Sequence, residues 1–210
     1  QLLRVDPGSR GKFAAIRKMT FRRFAGEFFD SKMRRSCSLD KLVVWMQIQS
    51  FIKGSIEAVM LKRPLQLDEF LELGKDRVRL NQEQRRVAFS VFVTYTAFCE
   101  DNKYWDDVDR ILELVSRLRN QGTAETAEGQ AGEDGVNHEE ENAVGSRVVG
   151  EARKVEDSYS KIYVDEVQDL TQAEIALLFM LSDSRSLFLA GDTAQSVVEG
   201  VAFRFSEVRS

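Results

Sequence analysis

The chain has 210 residues, 43% apolar and 30% charged, which is enough to close one sizeable core or two small lobes and argues against a wholly disordered chain. No run of about 18 apolar residues occurs, and the N-terminus lacks the basic, apolar, small-residue order of a secretion signal, so an intracellular protein, nuclear or cytoplasmic and without a membrane partner, is expected. The net charge of −4 hides a gradient: residues 1 to 63 carry 14 Lys and Arg against 5 Asp and Glu, whereas residues 119 to 157 carry 4 against 10. The basic block suits a phosphate backbone or, equally, a set of solvated helix faces.

Along the chain, the first strong periodicity is helical. Leu42, Trp45, Ile52, Ile56 and Val59 recur at spacings near three and four, broken at Gln49, with Ser38 placed as an N-cap. Val87, Val91 and Phe98 mark a second helix, and Val108, Ile111, Leu112, Val115 and Leu118 a third, with Asp106 or Asp107 near its start. These stripes read as core. Residues 120 to 151 lose all apolar periodicity and hold six of the 13 glycines beside Glu139-Glu140-Glu141, as a flexible acidic linker or surface insertion does. The only histidine, His138, lies there, which leaves mechanisms built on a histidine base or ligand without their main candidate. Cys37 and Cys99 are far apart with no CxxC, so both are expected as reduced thiols.

After the linker the period changes. Ile162-Tyr163-Val164 and Leu187-Phe188-Leu189-Ala190 are short runs of β-formers, and between them Thr171 and Glu174 form a capping-box signature ahead of Ile175, Leu178 and Phe179. Strand, helix, strand predicts a βαβ unit and a parallel sheet, hence an α/β lobe. Ligands of such sheets bind beyond the carboxyl ends of the strands. Both acidic turns fall at that edge: Val164-Asp165-Glu166-Val167-Gln168-Asp169 and Gly191-Asp192-Thr193-Ala194-Gln195-Ser196. A carboxylate held just after a buried strand can direct a Mg²⁺ ion bridging nucleotide phosphates, its neighbour can orient or deprotonate water, and a Gln on the next loop can sense the terminal phosphate. A single Asp in such a place would read as an N-cap; two such loops joined by one βαβ unit favour the nucleotide.

The turns resemble motifs II and III of superfamily 1 helicases of the UvrD/Rep/PcrA type, with Asp165 and Asp192 separated by 27 positions. The resemblance implies a RecA-like parallel-sheet P-loop NTPase lobe, with ATP and Mg²⁺ as cofactors. It makes Asp165 the Mg²⁺-directing carboxylate and Glu166 the residue beside it that activates water. Gln168, Asp169 and Asp192 would support the nucleotide, and Gln195 would couple the γ-phosphate to the nucleic acid. Thr20-Phe21-Arg22-Arg23-Phe24-Ala25 is similar to the family's TFHSxA element beside single-stranded DNA, with Arg22 in place of its histidine; a basic amphipathic helix start is the other reading of the same residues. Val197-Val198 stand where the bacterial members carry a stacking tyrosine, leaving Phe203 or Phe205 to stack on a base with Arg204 on phosphate, or the two phenylalanines to pack in a strand. The ending from Glu199 to Phe205, with Ile52-Lys53-Gly54-Ser55, looks most like the eukaryotic branch typified by the TPR and ankyrin repeat-containing protein 1 family.

The family layout implies residues 1–30 as part of the lobe with a basic segment, 31–118 as a helical insertion, 119–157 as the acidic linker and 158–210 as the lobe carrying both motifs. Gly8-Ser9-Arg10-Gly11-Lys12-Phe13 has two residues between its glycines and Phe13 after its lysine, so it is not a GxxxxGK[ST] loop. The chain opens on Gln1 and stops shortly after a strand pattern, and reads as an internal piece. The P-loop is expected upstream of it and the second RecA-like lobe with its arginine finger downstream, so this piece alone is not expected to hydrolyse ATP. The expected whole is an ATP-driven helicase or translocase on single-stranded nucleic acid, DNA in preference to RNA. The alternatives are a nucleic-acid-binding scaffold and an NTP-dependent switch.

Overall fold

A computed structural model of the chain describes residues 17–124, 159–182 and 186–192. Most of it is a helical body. β1 (Arg17–Lys18) leads in and pairs in parallel with the distant β2 (Tyr104–Trp105), Arg17 opposite Tyr104 and Lys18 opposite Trp105. Thr20 then caps α1 (Phe21–Arg23), its hydroxyl accepting from the Arg23 amide, and the helix continues without a break as a wider π-wound segment, Phe24–Met33. Phe24, Phe28 and Phe29 of that segment are buried.

α2 (Lys41–Met46) is capped by Asp40, whose carboxylate accepts from the Leu42 amide at 2.8 Å, rather than by Ser38. Asp40 stands immediately before the first helical residue, where a side-chain oxygen reaches an orphan amide; Ser38 lies two residues too early. The helix runs on as a π-wound segment, Gln47–Lys53, and stops at Gly54; Ser55 caps a separate α3 (Ile56–Leu61). One apolar stripe from Leu42 to Val59 thus spans two helices, because the Gly54-Ser55 pair ends one and starts the next. α4 (Leu67–Glu72) and α5 (Gln82–Asn102) follow, the latter opened by a reciprocal Asn81–Gln84 box and closed by Lys103 at φ 55°. Arg85 is fully buried and donates to the carbonyls of Phe70, Leu71, Leu73, Val78 and Leu80, satisfying the chain between α4 and α5. α6 (Asp107–Ala124) continues past Leu118, into the segment that lacks apolar periodicity. The rest of that segment lies outside the described residues.

Two cores result. The larger is aromatic: the ring of Phe24 lies 5.4 Å from Phe28, 4.9 Å from Trp45 and 5.5 Å from Tyr95, between α1, α2 and α5. The smaller joins Val59, Val108, Leu112 and Val115 of α3 and α6 to Ala173 and Ala176 of α7 (Gln172–Leu181). Between the cores sits a polar knot. Lys53 places its ammonium 2.6 Å from Asp106 and 2.5 Å from Asp109, and Asp106 also accepts from Gln49 and Tyr95. The break in the apolar stripe at Gln49 is therefore a buried partner for Asp106. Burial works to lower the Lys53 pKa, but the two carboxylates outweigh it and hold the amine above its ordinary range. Burial likewise pushes Asp106 up, and Lys53 outweighs it to hold that carboxyl low. Asp109 is pushed up by burial and by Asp106.

The predicted βαβ unit is present: β3 (Ile162–Val164) and β4 (Leu187–Leu189) are parallel, in the register Ile162–Leu187, Tyr163–Phe188, Val164–Leu189, with α7 between them. Thr171 and Glu174 form the expected box, the Glu174 carboxylate accepting from the Thr171 amide at 2.6 Å. The described strands form two separate two-stranded parallel sheets. Both cysteines are free thiols, and burial pushes the Cys99 thiol up to about 12, consistent with an unreactive side chain. Among the described residues no helix is long and apolar enough to cross a membrane.

Candidate active site

The site grows from the end of β3. The strand keeps Ile162 and Val164 half-buried and turns Tyr163 outward, as a period of two requires. The next two residues, Asp165 and Glu166, are exposed carboxylates. Glu166 adopts a left-handed conformation (φ 53°, ψ 41°), and Asp165 Oδ1 accepts from the Glu166 amide at 2.9 Å. A non-glycine residue in that region is uncommon and is held by its surroundings. Here the surroundings are a 3₁₀ turn, Val167–Asp169, whose Val167 is fully buried.

That turn is tied to β4. Ala190 N–H donates to the Val164 carbonyl at 2.8 Å and the Val167 amide donates to the Ala190 carbonyl at 3.0 Å, so the parallel ladder continues past both strands. Gln168, only 1% exposed, completes the tie. Its Nε2 donates to the Glu166 carboxylate, and its Oε1 accepts from the Asp192 amide at 3.0 Å. One buried amide therefore spans both acidic turns. Gly191 makes room for it: a Cβ there would come within 2.3 Å of Gln168 Oε1 and 2.9 Å of Val167 Cγ1. Asp169 Oδ1 is buried with no hydrogen-bond partner among the described residues.

The donor set suits a hard cation shared with phosphate. No three His, Cys, Asp or Glu converge as a closed cage among the described residues, and a nucleotide-bound Mg²⁺ takes only one or two protein carboxylates beside phosphate oxygens and water. Asp165 with Glu166 offers two carboxylates of that kind, and the buried Asp169 Oδ1 is a further acceptor without a hydrogen-bond partner among the described residues.

The profile of the UvrD/REP helicase N-terminal domain matches residues 31–208. The chain belongs to the UvrD/REP helicase family. Among curated proteins, human TPR and ankyrin repeat-containing protein 1 is 31% identical over 194 residues, 91% of this chain and 6% of that protein. The chain thus spans a small fraction of that relative's length. No solved structure matches. UvrD/REP helicases use ATP and Mg²⁺ and have a RecA-like fold; the described residues of this chain show the β3–α7–β4 unit with its two short parallel strands.

The other residues singled out in sequence fall in three places. Thr20, Phe21, Arg22 and Arg23 open α1: Thr20 is its cap, Phe21 packs 6.3 Å from the Trp45 ring, and Arg22 is exposed. Arg23 donates to the Lys18 carbonyl at 2.8 Å, lies 3.7 Å from Glu27 and 5.9 Å from the Tyr104 ring, so its guanidinium is occupied within the chain. Gln195, Phe203 and Arg204 lie outside the described residues, as does the Gly8–Phe13 stretch. The bridging geometry of Gln168 and the contacts of Gln172 with the helical body escaped the sequence reading. A Gln at the first position of a helix is an ordinary surface residue, and nothing in the spacing separates the two cases.

Proposed function

We infer that, in the intact protein, this chain supplies the acidic part of an ATP-hydrolysing site in a motor that moves along single-stranded nucleic acid, DNA in preference to RNA. The observation that carries the reading is the pair Asp165–Glu166 at the carboxyl end of a parallel strand, with buried Gln168 joining its turn to the one after β4. When bound, Mg²⁺ would supply charge neutralisation for the phosphates and ATP the reacting group. The protein's part is positional. Asp165 presents a carboxylate beyond the strand end where the metal would be held. Glu166 accepts a proton from water, and the amide bond from Gln168 fixes the rotamer in which it does so. Asp192 sits on the other side of the same amide, so a change in the second turn reaches Glu166 through one side chain. Residues 158–210 would form part of one lobe, and the helical body from Arg17 to Ala124, which takes in residues 17–30, would be an insertion packed against it through α7. Exposed Arg22 is free of the contacts that occupy Arg23 and is the better candidate for a phosphate.

The test is Glu166→Gln in the intact protein. The amide keeps the shape and cannot take the proton, so turnover should fall by about 10² to 10⁴ while nucleotide binding is retained; Asp165→Asn should weaken Mg²⁺-dependent nucleotide binding as well. Wild-type turnover in the Glu166→Gln protein overturns the reading. Comparing single-stranded DNA and RNA as activators of the wild type decides the preference.

A further inference from the structure

The acidic turn is anchored on its far side by a joint with the helical body. The N-termini of α3 and α7 satisfy one another: the Gly54 carbonyl accepts from the Ala173 amide at 3.0 Å, and Gln172 Oε1 accepts from the Ile56 amide at 2.9 Å. Each amide belongs to the first turn of its helix, where no intrahelical acceptor exists. Gln172 Oε1 also accepts from Arg77 Nη2 at 2.9 Å, and Arg77 is itself held by a two-point ion pair with Glu57 of α3. Two donors converging on one oxygen fix the orientation of the Gln172 amide. The approach is close: a Cβ on Gly54 would lie 2.2 Å from the Gln49 carbonyl and 3.2 Å from Thr171 Cβ. Gln49 and Lys53, on the other side of Gly54, bond Asp106 in the polar knot. Upstream of the joint, only Leu170 and Thr171 separate Gln172 from the 3₁₀ turn behind Glu166.

We propose that Gln172 is a positioning residue for Glu166: by accepting from Ile56 and Arg77 it fixes the start of α7, and with it the 3₁₀ turn, on the helical body. This rests on the hydrolytic reading above for its consequence, and on the geometry alone for the placement. The bonds of Gln172 to Ile56 and Arg77 face the helical body, and it acts on Glu166 through the turn. A substitution therefore loosens the turn and lowers kcat, leaving the KM for ATP nearly unchanged.

The experiment compares Gln172→Met, which keeps the length and removes the acceptor, with Gln172→Glu, which keeps an acceptor oxygen facing Arg77. In the intact protein without nucleotide, amide exchange is followed at Val167, Asp169 and Leu170, whose amides donate to Ala190, Glu166 and Val167, and at Val91 and Phe92 in α5 as a control. Gln172→Met should speed exchange in the turn about tenfold, with α5 unchanged and Gln172→Glu within about twofold of wild type. With ATP, kcat of Gln172→Met should drop about 10- to 100-fold with KM within about threefold. Unchanged exchange in the turn overturns the proposal. Equal acceleration in α5 does too, because the residue is then merely structural, and so does faster exchange with wild-type kcat. If the wild type hydrolyses no ATP, the hydrolytic reading fails, and the exchange ratios decide the placement by themselves.

Discussion

The helical body and the βαβ unit of this chain are built on different terms. The body buries Phe24, Phe28, Ile48, Ile52, Phe70 and Val91 completely and encloses an ion pair and a guanidinium with their partners supplied. The βαβ unit rests on strands of three residues, and its aromatic pair, Tyr163 and Phe188, stacks at 5.0 Å with 71% and 48% of its surface exposed. The acidic turns sit on the thin unit and most of the buried core in the thick one. That division explains why the acidic turn needs ties from both sides, Gln168 toward β4 and Gln172 toward α3. Three-residue strands alone give a turn little to stand on.

The comparison breaks first at the polar knot. Asp106→Ala leaves Lys53 buried with only the half-exposed Asp109, and should cost about 3 to 5 kcal/mol, read as lost amide protection in α5. Replacing both partners, Lys53→Met with Asp106→Leu, should recover much of that loss; a double variant as unstable as the single would show that the knot contributes through packing and not charge. Next, removing one aromatic ring from each region should have effects that differ severalfold. Phe24→Ala empties a site with four ring neighbours and should cost about 3 to 5 kcal/mol, whereas Tyr163→Ala should cost less than about 1 kcal/mol because the ring is already largely in water. Similar losses at both positions would show that the exposed pair is covered in the intact protein.

A smaller effect is expected at Gly191→Ala. Its methyl would displace Gln168 Oε1 and press on Val167, at about 1 to 3 kcal/mol confined to the turn, so exchange at Val167 and Asp169 should quicken while α5 stays as it was. The smallest is a pH effect at the start of α4. Arg63 grips the Glu69 carboxylate at 2.7 and 2.8 Å and the Gln66 amide adds a bond at 2.6 Å, holding its pKa at about 2. The folded value lies below the unfolded one of about 4.3, so this contribution is complete above the unfolded pKa and is lost as pH falls through about 2. Thermal unfolding of Glu69→Gln and wild type should differ slightly at pH 6 and converge toward pH 2; a constant gap would remove the carboxylate's role.

Much of the local structure was legible because the signals are local. The 3.6-residue stripes located α5 and α6, the change to short β-branched runs located β3 and β4, and the Thr171–Glu174 spacing gave the cap of α7. The candidate site was legible as composition: two acidic turns at strand ends point to phosphate and metal whichever side chains meet. The split between α2 and α3 was missed because an apolar stripe keeps its phase across a glycine, and only the backbone at Gly54 shows that the helix has ended.

By itself, the sequence determined the helices α5, α6 and α7, the strands β3 and β4 and their parallel sense, and which carboxylates stand at the strand ends, since periodicity and capping act within a few residues. Tertiary structure alone decided that Gln49, Lys53 and Asp106 form one buried knot across 53 to 57 positions of sequence, that Gln168 joins Glu166 to Asp192, and that Gln172 is held by Ile56 and Arg77. The physical reason is that a buried polar group must find a partner wherever the fold brings one, and chain separation carries no record of that choice.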